Sequence, residues 1–157
     1  MTNKEIKIAY LEYGSIDELE AADRELAQAA IEATALSYAP YSNFNVGAAV
    51  RFEDGEIIKG ANQENAAYPS GLCAERTALF YASASRPDKA MTAIAIAAGQ
   101  NGELCSAPAT PCGACRQVMA QYQSKSKRPM SVLLVGAGQI WKFDKVDDLL
   151  PLIFDSI

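Results

Sequence analysis

An α/β domain, with helices on both faces of one mixed sheet, follows from three features of the chain. Met91–Ala98 and Ser131–Val135 are unbroken apolar runs, the pattern of central strands buried on both faces. Two brief turns, Glu53-Asp54-Gly55-Glu56 and Gly136-Ala137-Gly138, are too short to hold a crossover, so the strands flanking each should pair antiparallel. Helical patterns stand between the remaining strands. The expectation is a three-layer α/β/α domain with a mixed five-stranded sheet whose last two strands are antiparallel.

In chain order, Glu5 to Tyr13 alternates loosely, with Ile6, Ile8 and Tyr10 on one side, which favours a short strand. Ser15-Ile16-Asp17-Glu18 reads as a capping box, serine at the N-cap and glutamate at N3. Behind it Leu19, Ala22, Leu26, Ala29, Ala33 and Leu36 recur at helical spacing, so an amphipathic helix of roughly twenty residues should end before Pro40. Its alanine-rich stripe permits close packing on a sheet or on another subunit. Phe44 to Phe52 and Glu56 to Ala61 form the first hairpin, and Asn62 and Glu64 follow two apart, facing the same way. Ser70 or Gly71 opens a helix that bears Cys73 and continues to about Ser83. A loop rich in Gly, Ala and Pro leads to a third helix, Cys112 to about Tyr122. Gln139 to Phe143 is the last strand, and Val146 to Leu150 a short helix stopped by Pro151. Without repeats, linkers or low-complexity tracts, the 157 residues suit one domain.

Half the residues are hydrophobic, ordinary for a globular chain. The net charge of -5 argues against a nucleic-acid partner, because binding to polyanions leans on clustered Lys and Arg. The basic cluster Lys125-Ser126-Lys127-Arg128 reads as a solvated loop. No apolar run approaches the ~20 residues of a membrane span, so no membrane partner is expected. Met1-Thr2-Asn3-Lys4-Glu5 lacks the apolar core of a signal peptide. Thiolate ligands need a reducing compartment, so a cytoplasmic location is the consistent expectation.

The chemistry concentrates in two stretches, Gly71-Leu72-Cys73-Ala74-Glu75-Arg76 and Thr110-Pro111-Cys112-Gly113-Ala114-Cys115-Arg116-Gln117. Cys112 and Cys115 are three apart, so on the first turn of a helix their sulfurs share a face. Cys73 would come from the start of another helix, with Glu75 two residues on. A structural zinc takes four protein ligands, whereas a catalytic one takes three and leaves a position for water. The chain has no histidine, so imidazole is neither ligand nor base. Three thiolates and one carboxylate are the parts of a hydrolytic Zn²⁺ site, Cys73, Cys112 and Cys115 holding the metal and Glu75 moving protons. The plainer readings are buried small residues, a disulfide or a structural zinc for the cysteines, and a solvent-facing helix residue for Glu75. Cys105 fits no metal spacing and reads as a free buried thiol.

Cys73-Ala74-Glu75-Arg76-Thr77-Ala78 and Pro111-Cys112-Gly113-Ala114-Cys115-Arg116-Gln117, with Asn62-Gln63-Glu64-Asn65-Ala66-Ala67-Tyr68 upstream, resemble the homotetrameric zinc-dependent cytidine deaminases that act on free nucleosides. The likeness runs from about Ser37 to the C-terminus. It implies a cytidine deaminase-like fold and hydrolytic deamination of cytidine and deoxycytidine, with one zinc per subunit and a homotetramer. Because that family typically begins with the helix after Ser15, residues 1–14 are an extension and 15–157 the catalytic domain. The resemblance gives Asn62 and Glu64 the ribose hydroxyls, Phe44 the face of the base and the backbone of Ala74 the pyrimidine carbonyl. Ala66 joins the substrate contacts. Tyr68 and Phe154 match positions that enter a neighbouring subunit's site. Arg76 and Gln117 would moderate the thiolate charge by hydrogen-bonding sulfur. The bland counterparts are a polar strand end for Asn62 and Glu64, a core phenylalanine for Phe44 and a surface salt bridge for Arg76. Two competing functions stay open: a deaminase of a related cytosine nucleoside such as an antibiotic, and a non-enzymatic zinc protein with Cys105 as fourth ligand.

Overall fold

The computed structural model describes residues 1–155. Strand β1 (Leu11–Tyr13) precedes helix α1 (Ala21–Ala33), and β2 (Phe44–Phe52) turns back into β3 (Ile57–Ala61). Then come α2 (Ala74–Ser85), β4 (Met91–Gln100), β5 (Glu103–Leu104), α3 (Gly113–Ser126), β6 (Ser131–Val135) and β7 (Ile140–Phe143). The sheet runs β1-β7-β6-β4-β2-β3, with β5 paired to the end of β4. All five expected strands are there; β1 and β5 raise the count to seven among the described residues. β4 and β6 are parallel because α3 carries the chain across between them, and the other pairings are antiparallel, β6 with β7 included.

Alternation along β4 divides the core. Ala93, Ala95 and Ala97 face α1, packing with Leu26, Ala27 and Ala30. Ile94 and Ile96 face α2 and α3, packing with Ala78, Leu79 and Met119. Burying each such isoleucine stabilises the fold by roughly 1.5–3 kcal/mol. Both helix layers come unusually close to the sheet. A Cβ on Gly47 would lie 2.2 Å from the Ala30 carbonyl oxygen, and one on Gly60 would lie 2.5 Å from the Ala78 nitrogen. Gly60 therefore sets how near α2, and the site at its start, sits to β3.

The expected capping box does not form. Ile16–Glu18 is a 3-10 turn, the Ser15 side chain makes no cap bond, and α1 starts only at Ala21. Glu18 instead accepts the Gly14 N–H at 3.2 Å, and Arg24 donates to the carbonyls of Asp17 and Leu19 at 2.7 and 3.1 Å. Those bonds satisfy the backbone that a longer helix would have used. The expected twenty-residue helix is thus thirteen residues followed by a 3-10 turn, Thr34–Leu36. Similarly, Val146–Asp148 is a 3-10 turn rather than a short helix.

The N-terminal segment narrows to β1, which pairs with β7 and becomes the sheet edge. Tyr10 stacks on Phe143 with ring centroids 5.1 Å apart and tilts against Trp141 at 5.4 Å, and the Trp141 indole donates to Glu12 at 3.0 Å. No helix among the described residues is long and apolar enough to cross a membrane.

Candidate metal centre and substrate cleft

Two helix starts converge. Cys73 is the N-cap of α2 and Cys112 the N-cap of α3, while Cys115 lies in the first turn of α3. The sulfurs of Cys73, Cys112 and Cys115 all lie within 4.8 Å of one another. Corners of a tetrahedron about 2.3 Å from a zinc ion stand roughly 3.8 Å apart, so this trio fits one Zn²⁺ with a corner to spare. Cys105 is not part of this group. It sits instead beside β4, its backbone N–H bonded to the Ala98 carbonyl at 2.9 Å.

The electrostatics ask for a cation. The neighbouring Cys115 thiol and, against the cost of burial, the Arg76 guanidinium bring the Cys73 thiol down to about 5. The same pairing and burial push Cys115 up. Three sulfurs this close cannot all ionise without compensating positive charge. Part of it comes from the free N–H groups of the two helix starts. Part comes from Arg76, whose Nη2 lies 3.6 Å from Cys73 Sγ. The Arg76 Nε is buried without a partner among the described residues. A metal with affinity for sulfur would supply the remainder, so the donor set fits zinc.

Glu75, in the first turn of α2, is only 5% exposed. Burial and the neighbouring Cys73 charge raise its affinity for a proton. Glu75, Cys73 and Cys112 share a cleft of about 280 Å³ with Ala74, Phe44, Asn62 and Glu64. Ser42 and Thr110 also line it. Neither was singled out as a site residue in the sequence; for Thr110 the signal was its place directly before Pro111-Cys112.

Asn62 and Glu64 are held before any ligand arrives. The Asn62 amide accepts the Val46 N–H and donates to the Phe44 carbonyl, both at 2.9 Å. Glu64 accepts the Tyr41 N–H at 2.9 Å, the Ser42 N–H at 3.3 Å and the Ser42 hydroxyl at 2.5 Å. The Ser42 hydroxyl and the Tyr41 N–H hold the Glu64 carboxyl below its usual range, so it is an anion at neutral pH. Each still has capacity: one N–H and one lone pair on Asn62, one lone-pair site on Glu64.

Other candidates stand apart from this cleft. Tyr68 is 84% exposed on a neighbouring groove with Tyr41, Gln63 and Arg76. Ala66 is exposed and does not line the cleft. Phe154 is 68% exposed. Gln117 forms no hydrogen bond to sulfur among the described residues; it donates to the Phe154 carbonyl at 2.7 Å and accepts the Phe154 N–H at 3.2 Å.

Known proteins resemble this chain in sequence and fold. A family model described as the cytidine and deoxycytidylate deaminase zinc-binding region matches residues 20–129. A cytidine deaminase of Halalkalibacterium halodurans is 52% identical over 101 residues, spanning 63% of this chain and 71% of that protein. One from Sporosarcina psychrophila is 46% identical over 120 residues, spanning 76% of this chain and 82% of the relative. The crystal structure of cytidine deaminase from Burkholderia pseudomallei superposes with a TM-score of 0.70 at 41% identity, covering 83% of this chain and 97% of the other. That from Mycobacterium tuberculosis gives 0.69 at 29% identity, covering 87% and 100%.

Proposed function

The chain belongs to the cytidine and deoxycytidylate deaminase family, and from that premise we propose that it hydrolyses cytidine and deoxycytidine to uridine and deoxyuridine with release of ammonia. The observation that carries this reading is a buried carboxyl, Glu75, sharing a base-sized cleft with a three-sulfur metal centre. Zinc held by Cys73, Cys112 and Cys115 supplies the Lewis acidity that brings water's ionisation towards neutral pH.

The chain's own residues move the protons. Glu75 takes a proton from the attacking water and delivers it to N3 of the cytosine ring as oxygen adds to C4. It then carries a second proton to the exocyclic amine, which leaves as ammonia while the added oxygen becomes the C4 carbonyl. A carboxyl whose proton affinity burial has raised can perform both transfers near neutral pH. Arg76 draws charge from Cys73, and the Ala74 backbone at the start of α2 meets the pyrimidine carbonyl. Phe44 offers its face to the base. Asn62 and Glu64, already oriented by β2 and the 41–42 turn, use their remaining capacity on the ribose hydroxyls.

The lining supports a nucleoside over a nucleotide: it includes Glu64 and Glu75 and neither Lys nor Arg. A 5′-phosphate would find no cation in that lining to offset its charge. The exposure of Tyr68 and Phe154 supports assembly into a homotetramer in which each ring completes a neighbour's site. Pyrimidine salvage in the cytoplasm is the role that fits a deaminase of free nucleosides. The structural-zinc alternative loses its fourth ligand, because Cys105 is outside the sulfur group.

Ultraviolet absorbance on the zinc-loaded protein with cytidine, deoxycytidine, cytidine monophosphate, cytosine and adenosine tests the proposal. Turnover is expected with the first two alone. Equal turnover of the monophosphate, or none of either nucleoside, overturns it.

A further inference from the structure

Two adjacent side chains of α3, Arg116 and Gln117, reach out to the C-terminal tail instead of into the metal centre. Arg116 donates through Nη1 to the Leu149 carbonyl and through Nε to the Pro111 carbonyl, each at 2.8 Å. One guanidinium thus joins the tail to the residue just before Cys112. Gln117 then holds both backbone polar groups of Phe154, donating at 2.7 Å and accepting at 3.2 Å. A planar amide that answers both N–H and C=O of one residue fixes where that residue lies and which way it faces. Between these ties Ile153 packs against the core below α3, while Leu152 and Phe154 on either side of it are exposed. The tail leaves two large apolar side chains pointing outward, and neither lines its own chain's cleft.

We propose that Arg116 and Gln117 are positioning residues that strap the C-terminal tail to the metal-bearing helix, so that Phe154 is presented in fixed register with Cys112 and Cys115. This rests on the functional reading above for the use to which Phe154 is put, a second copy's nucleoside cleft. The strap itself stands on the four hydrogen bonds. Because its acceptors and donors on the tail are backbone atoms, it specifies position without demanding particular tail side chains.

The test is Gln117→Ala in the full, zinc-loaded chain, read in two ways. Alanine is well tolerated on a helix, so the variant should fold with ordinary zinc content. Amide hydrogen exchange of the C-terminal peptide should quicken about fivefold at Phe154, the size of one net hydrogen bond. The KM for cytidine should rise by a similar factor, about fivefold, and by more than kcat falls. Gln117→Glu keeps the acceptor for the Phe154 N–H but loses the donor, and should lie between wild type and alanine in both readings. Unchanged exchange in Gln117→Ala overturns the strap. Faster exchange with KM unmoved overturns the positioning role. If the wild-type protein turns over no nucleoside, the functional reading fails, and the exchange measurement still decides the strap by itself.

Discussion

Glu75 and Cys105 are a pair of single residues on which the chemistry can be checked. Glu75→Ala leaves all three sulfurs and both helix starts in place, so zinc content by elemental analysis should match wild type. Its kcat should fall by about 10²–10⁴, the usual worth of a positioned acid–base group. Cys105→Ser should keep one zinc per chain, since that sulfur is not in the metal group; loss of metal would revive a four-ligand site. That Cys73, Cys112 and Cys115 would come together, with Glu75 in the adjoining cleft, was legible because thiolate chemistry and spacing of two and three residues leave few other uses for them. What Gln117 does was not legible. Its distance in sequence from Cys115 suits a bond to sulfur, but its partner, Phe154, lies 37 positions away, and only folding brings the two together.

At the scale of elements, close packing sets the site. Gly60→Ala would force a Cβ into the backbone of α2 at Ala78, and α2 carries Cys73 and Glu75. A loss of about 1–3 kcal/mol is expected, with weakened zinc retention under chelator challenge. Gly113→Ala, at the first turn of α3, meets nothing within 4 Å and should raise stability by about 0.5–1 kcal/mol in a denaturant titration. A second tie holds α1 to the sheet: buried Asp23 bonds Arg51 at 3.0 Å and Lys142 at 2.6 Å. Burial alone would raise the Asp23 carboxyl, but Lys142 and Arg51 outweigh it and the net shift is downward. A depressed folded-state pKa stabilises above the unfolded value of about 3.9 and is lost as pH falls through the folded value. Wild type should therefore lose thermal stability below about pH 4 more steeply than Asp23→Asn. Removing the carboxylate should cost about 3 kcal/mol at pH 7, the low end for one partner of a buried pair, because Arg51 and Lys142 can reach solvent. Nothing in the helical periodicity announced this triad, since Asp23 interrupts an apolar stripe and its partners come from β2 and β7.

For the whole molecule, residues 1–14 and the proposed homotetramer can each be tested. Without residues 1–14, the β7 edge and the rings of Trp141 and Phe143 lose their cover. The truncated chain should fold as one unit with its Tm lowered by about 4–8 °C, corresponding to ~2 kcal/mol at this length. Turnover per zinc should hold, since β1 lies at the sheet edge opposite β3, away from the cleft. Light scattering after gel filtration should give four copies per particle, and Phe154→Ala should raise the KM for cytidine without changing zinc content. A monomer with full activity would refute the intersubunit role of Tyr68 and Phe154.

By itself the sequence determined the strand runs, the antiparallel hairpins, the three sulfurs and the carboxyl beside them, because local periodicity, turn length and ligand chemistry act over a few residues. Only the tertiary structure decided that Ser15 caps nothing, that residues 11–13 close a sheet edge, that Asn62 and Glu64 are pre-oriented by β2 and its approach, and that Gln117 holds the tail. Each of those outcomes depends on a partner far away in the chain, and contacts at long range are settled by packing rather than by spacing.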